Sequence, residues 1–135
     1  MKKLSLVLVL LLALVILCSC GEYVNNYSAT FFATSCQGDE ASMKFGSFTG
    51  TYNFKLRDDG VDDRSLDFEA SLLEGEMNIY IDVDGEKELL RTVKGGESYD
   101  ETIPLDDKYD YEKTVYVILE TVSQCTDGEF EFEYN

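Results

Sequence analysis

The 135-residue chain carries 11 Lys+Arg against 27 Asp+Glu, no His, no Trp, one Pro and four Cys, for a formal net charge of −16. Without histidine there is no Ser-His-Asp or Cys-His site, no His-ligated zinc and no imidazole to act as acid and base near neutral pH. The length suits a single domain, and the acidic balance opposes nucleic acid, whose phosphates are held by Lys and Arg displacing counterions.

In chain order, Lys2-Lys3 is followed by an unbroken apolar run of 12 residues from Leu6 to Leu17. A helix of that length rises about 18 Å, short of the roughly 30 Å hydrocarbon core, which fits the hydrophobic region of a signal peptide better than a spanning helix. Leu17-Cys18-Ser19-Cys20-Gly21 then resembles the bacterial lipobox, with an aliphatic residue at −3, a small residue at −1 and the cysteine that becomes the mature first residue. The cysteine at −2 departs from the usual Ala, Ser or Thr. The resemblance implies a signal peptide over residues 1–19 and a diacylglyceryl thioether on Cys20. Two or three acyl chains hold a protein stably, at about 0.8 kcal/mol per buried methylene. The alternatives are an ordinary secretory signal or an uncleaved anchor helix. The expected location is the extracytoplasmic face of the cell membrane, with the exported part carrying 9 − 27 = −18 charges.

Residues 20–28 read as an acylated tether and residues 29–135 as the folded domain. From Ala29 the hydrophobic period is 2, the signature of strands with one buried face. A β-rich stretch runs from Ala29 to Ser35. Met43 and Phe45 alternate with polar residues, Tyr52, Phe54 and Leu56 resume the alternation, and the FGSFTG segment between them predicts a bulge or turn. Leu66 to Leu72 and Met77 to Val83 alternate as two further strands. Asp84-Gly85 predicts a tight hairpin, since both turn residues need positive φ. Strands follow at Tyr99 to Leu105, Thr114 to Val122 and Glu129 to Tyr134, the last with Phe130, Phe132 and Tyr134 dry and Glu129, Glu131 and Glu133 wet. About eight short strands with no convincing amphipathic helix predict an all-β fold, an antiparallel β-sandwich.

The order FGSFTGTYNFKL, SLDFEASLLEGEMNIYIDVDG, TIPL, KTVYVIL and GEFEFEY resembles a group of small Firmicutes-type lipoproteins whose mature part is a jelly-roll-like sandwich. The resemblance covers roughly Met43 to Tyr134. It implies that fold and a lipid-anchored location, and little about activity, which most members lack.

With Cys18 lost with the signal and Cys20 acylated, Cys36 and Cys125 form an even pair in an exported domain, which predicts a disulfide; two buried free thiols are the alternative. Three acidic clusters (Asp58 to Asp63, Asp82 to Glu86, Asp106 to Asp110) invite Ca²⁺, but none places Gly where the EF-hand loop wants it. Solvated turns explain all three; a Ca²⁺ site, if present, falls on Asp58, Asp62 and Asp63. Nucleophile elbows, phosphate loops and HExxH are absent, so no enzyme and no cofactor are expected. The expected function is a non-catalytic binding module for an unknown glycan or protein, with Tyr99, Tyr109 and Tyr111 as its aromatic platform. The rival reading is an envelope structural or accessory protein that docks on a protein partner.

Overall fold

The computed structural model describes residues 25–59, 63–83 and 85–135. They form seven strands: β1 (Asn26–Thr30), β2 (Ala33–Gln37), β3 (Glu40–Arg57), β4 (Ser65–Val83), β5 (Glu86–Lys94), β6 (Ser98–Pro104) and β7 (Thr114–Tyr134), with one 3-10 turn at Asp107–Tyr109. Every pairing is antiparallel, in the order β1-β3-β7-β4-β5, with β2 also on β3 and β6 also on β4. Among the described residues no helix is long and apolar enough to cross a membrane.

Three strands are far longer than the usual five or six residues, and their length makes the architecture. β3, β4 and β7 each belong to two layers. Residues 40–48 of β3, 125–134 of β7 and 65–72 of β4 combine with β2 and β6 into one five-stranded layer. Residues 51–57, 114–120 and 76–83 of the same strands combine with β5 into a four-stranded layer. Between the layers the register slips at Phe48/Thr51 and at Glu74/Glu76/Met77. An extra residue inverts which side chains point inward. The inward set accordingly changes parity along each strand: Met43 and Phe45 to Phe54 and Leu56; Leu66, Phe68 and Leu72 to Met77, Ile79 and Ile81; Val115, Val117 and Leu119 to Phe130, Phe132 and Tyr134. All of these are buried in one core. The sheet thus folds back on its own apolar face as an antiparallel β-sandwich.

Several boundaries differ from the sequence expectation. Segments 66–72 and 77–83, expected as two strands, are one strand with Gly75 at φ 101 in the bend. A Cβ there would lie 2.4 Å from the Gln124 carbonyl oxygen, so only glycine fits. Segments 114–122 and 129–134 are likewise one strand, which makes the count seven rather than eight. The 29–35 stretch is instead broken in two, because Phe31 adopts φ 49 and ends β1. β1 begins at Asn26, so residues 26–28 of the expected tether are part of the sheet. Val83 lies opposite Glu86, as the expected hairpin requires; of the two residues between them, Asp84 lies outside the described residues.

At one end of the sandwich Arg64 is 1% exposed and ties three segments together. Its Nη2 donates to the carbonyls of Asp58 (2.9 Å) and Glu112 (2.7 Å), and its guanidinium sits 4.5 Å from the Tyr134 ring centroid. Tyr134 Oη donates to the same Glu112 carbonyl at 2.7 Å. The buried charge is thereby hydrogen-bonded, as a buried cation must be.

Candidate acidic binding face

The alternation that buries Phe130, Phe132, Leu66, Phe68 and Ala70 turns the intervening residues outward on the five-stranded layer. Strand register then aligns those residues in rows. One row runs Gln37, Glu40, Glu133, Asp67, Thr102; the next runs Ser35, Ser42, Glu131, Glu69, Asp100. With strands about 4.8 Å apart, each row of five spans about 19 Å. Together they floor a concavity of about 580 Å³, within the range of small-ligand sites. A second hollow of about 280 Å³ shares Glu69, Asp100 and Glu131 and extends the trough toward Tyr99.

Six carboxylates therefore share this floor: Glu40, Asp67, Glu69, Asp100, Glu131 and Glu133. Like charges directly opposite one another across strands destabilise a sheet. The protonation equilibria record that repulsion. Glu69 is held above the usual carboxylate value, first by sharing a hydrogen bond with Glu131 and then by the charges of Asp100 and Glu131. Glu133 is raised first by desolvation, then by Glu40, Asp39 and Asp67. Thr102 Oγ1 donates to Asp67 at 2.7 Å, and Asn135 Nδ2 donates to its other oxygen at 3.0 Å. At the rim, Lys44 lies 3.8 Å from Glu129, and Arg91 clamps Glu101 at 2.6 Å. The floor offers hydrogen-bond acceptors and a focused negative potential, so it attracts groups that donate hydrogen bonds and carry positive charge.

The residues singled out in the sequence do not assemble into this site. Tyr109 is 1% exposed and its hydroxyl donates to Glu88 at 3.3 Å; burial pushes that hydroxyl well above its usual pKa. Tyr99 is half-buried against Phe68, with its hydroxyl on the Thr92 carbonyl (3.2 Å) and the Glu97 carboxylate. Tyr111 alone of the three is exposed, at φ 64 in the loop after the 3-10 turn. The three do not form a platform, because the same apolar rings that suggested one are needed by the core.

Of the expected Ca²⁺ ligands, Asp62 lies outside the described residues, Asp58 faces Arg64 Nη1 at 3.6 Å, and Asp63 sits in a bend at φ 55. Among the described residues no group of three or more Cys, Asp or Glu is arranged to hold a metal ion. The expected Cys36–Cys125 disulfide is corrected: both cysteines are free. Cys36 pairs with Ala41 and Cys125 with Phe48 on opposite sides of β3, and 48 − 41 = 7 residues of strand separate those positions by about 23 Å. The Cys36 thiol donates to the Lys55 carbonyl at 3.2 Å, and burial raises the Cys125 thiol to about 11. Cys20 lies outside the described residues.

The acids of the floor were half visible in sequence. The alternation of Glu129, Glu131 and Glu133 with Phe130 and Phe132 marks a wet face, and Asp67 and Glu69 repeat the pattern. That these strands lie side by side with their acids in register is a property of the β3-β7-β4-β6 pairing.

No protein-family model matches this sequence, and a search of curated proteins finds no match. Among solved structures the chain is similar to a family 29 carbohydrate-binding module, 15% identical over 84% of this chain and 76% of that one, with a TM-score of 0.48. It is similar to a second mutant of that module, complexed with mannohexaose, 16% identical over 84% and 82%, TM-score 0.47. It is also similar to CBM4, 11% identical over 86% and 81%, TM-score 0.46.

Proposed function

We propose that this protein is a non-catalytic binding module, tethered through lipid on Cys20 to the extracytoplasmic face of the membrane, whose working surface is the concave carboxylate floor. The observation that carries the reading is the in-register alignment of Glu40, Glu133 and Asp67 beside Glu131, Glu69 and Asp100. Such alignment costs the fold stability, and a cationic partner offsets that cost on binding. The ligand class it favours is a Lys- or Arg-rich segment of another envelope protein. A glycan that stacks on aromatic rings is less well served, because none of the exposed large rings lines the floor. Hydrolysis is unsupported for the same geometric reason: the floor is an open sheet face rather than a cleft that encloses a sugar ring.

Calorimetry on the detergent-solubilised full chain tests this with a Lys-rich peptide and a neutral hexasaccharide side by side. The expected result is peptide binding that weakens steeply with added salt and is lost in the Glu40→Gln, Glu69→Gln, Glu131→Gln, Glu133→Gln variant. Salt-independent binding of the neutral sugar with no peptide binding contradicts the charge-based reading. The tether is tested separately: Cys20→Ser that leaves mass and detergent partitioning unchanged overturns it.

A further inference from the structure

In a chain this acidic, charge is distributed very unevenly over the surface. Positions 25–38, 45–54 and 121–126 contain no Asp, Glu, Lys or Arg. The fold gathers these three segments at the bend of the sandwich, where Glu74 and Glu76 of β4 border them opposite Thr126 and Ser123. β1 pairs with residues 47–51, Ser47 and Phe48 pair with Thr126 and Cys125, and Thr121 Oγ1 accepts from the Gly50 amide at 2.9 Å. Beneath the face lies a ring cluster: Tyr27 is 4.8 Å from Phe32, 5.2 Å from Tyr52 and 5.6 Å from Phe48 between centroids. Above it, Val122 and part of Tyr27 are exposed, and Phe31 is 92% exposed.

Phe31 is unusual twice over. A bulky side chain rarely adopts positive φ, and its φ is 49. Folding ordinarily hides such a ring, yet this one stands in solvent with only its edge over Gly46, where an added Cβ would come within 2.9 Å of Phe31 Cδ2. Strain combined with exposure points outside the domain for its reason.

The chain's own course says what lies outside. Asn25 enters the fold on this face, with Oδ1 accepting from the Asn53 amide at 2.9 Å and from Asn53 Nδ2 at 2.6 Å. Cys20 is five residues earlier, so the anchor lies within about 18 Å of Asn25 even with that stretch fully extended. A strongly negative domain held that close to lipid is repelled wherever its carboxylates approach anionic headgroups. The charge-free segments, with Glu74 and Glu76 only at their β4 border, meet less of this repulsion than the rest of the surface, and exposed aromatics are favoured at the headgroup level.

We infer that the surface of the three charge-free segments, carrying Phe31, Tyr27 and Val122, is the membrane-contacting side of the anchored domain, with the Phe31 ring seated in the lipid interface. The inference rests on the lipid-anchor reading and deepens it by fixing the side of the domain that meets the bilayer. Because the native chain has no Trp, single-tryptophan variants give a clean test. Full-length Phe31→Trp and Val122→Trp, with Leu89→Trp on β5 as reference, are placed in phosphatidylcholine/phosphatidylglycerol vesicles, floated, and quenched with brominated acyl chains. Leu89 is exposed at 54% but neighbours Glu86, Lys87 and Glu88. The expected result is flotation of all three, with blue-shifted emission and several-fold stronger bromolipid quenching at positions 31 and 122 than at 89. Flotation with equal quenching at the three positions overturns the membrane-facing assignment and leaves the anchor standing. A blue shift at position 31 that grows with protein density and escapes bromolipid marks a second copy on this face and also overturns it. Failure of every variant to float overturns the anchor reading and the inference with it.

Discussion

The rings of Phe54 and Phe132 lie 6.3 Å apart, although Phe132 is opposite Ala41 in the sheet and Phe54 is opposite Val117. They meet across the sandwich, one from each layer, and Phe132 also stacks at 5.5 Å on Phe68. Truncating such a ring removes contacts from both layers at once. Phe132→Ala is expected to destabilise the domain by about 3–5 kcal/mol, measured as a loss of urea midpoint with the slope retained.

The bend depends on residues without side chains. Gly75 combines φ 101 with a Gln124 carbonyl oxygen that would lie 2.4 Å from any Cβ. Gly75→Ala must strain the backbone and separate β4 from β7 at the point where the layers diverge. Thermal unfolding is expected to report a loss of about 2–4 kcal/mol, whereas Gly85→Ala, which meets no atom within 4 Å, loses less.

The acidic floor makes stability depend on pH with a definite sign. Glu69 and Glu133 have folded pKa values raised above the ordinary 4.5. A raised carboxylate contributes stability that is present below its unfolded value and lost as pH rises through its folded value. Lowering the pH through that window should therefore raise Tm. Glu88 carries the opposite sign: its hydrogen bond with Lys108 lowers it, so its contribution disappears as pH falls through the lowered value. The Tm profile is expected to climb from neutral pH toward the ordinary carboxylate value and turn over below it. Glu69→Gln with Glu133→Gln should flatten the climb, and added salt at neutral pH should raise Tm of the unmodified protein more than that of the variant.

The two domain cysteines should behave differently toward a maleimide. Cys36, exposed on β2, is expected to react in the folded protein; Cys125, buried with its thiol raised to about 11, only after unfolding. Peptide mapping by mass spectrometry reads both sites. A peptide linking Cys36 to Cys125 in unreduced protein would contradict the strand register.

The sequence pattern was most legible where one rule sufficed. Alternation over 66–72, 77–83, 114–122 and 129–134 identified strands and their buried faces, and Asp84-Gly85 located a hairpin. It misled where local chemistry has two outcomes. The breaks in alternation between 72 and 77 and between 122 and 129 separated strands in the sequence, yet positive φ at Gly75 and Asp127 produces bends inside continuous ones. Tyr109 carried the composition of a surface platform, but a 3-10 turn delivers it to the core. The cysteine pair obeyed the arithmetic of exported proteins and failed on distance, which only the register supplies. The candidate site was visible one strand at a time; its rows exist because β7 lies between β3 and β4.

The most direct test of the carboxylate floor as the working surface is hydrogen exchange on the full chain in lipid nanodiscs, with and without a Lys-rich peptide. The account predicts added protection in β2, residues 40–44 of β3, residues 65–71 of β4, β6 and residues 129–134 of β7, with residues 26–32 and 121–124 unchanged by the peptide. Protection confined to residues 26–32 and 121–124, with the acidic strands exchanging as before, would contradict it.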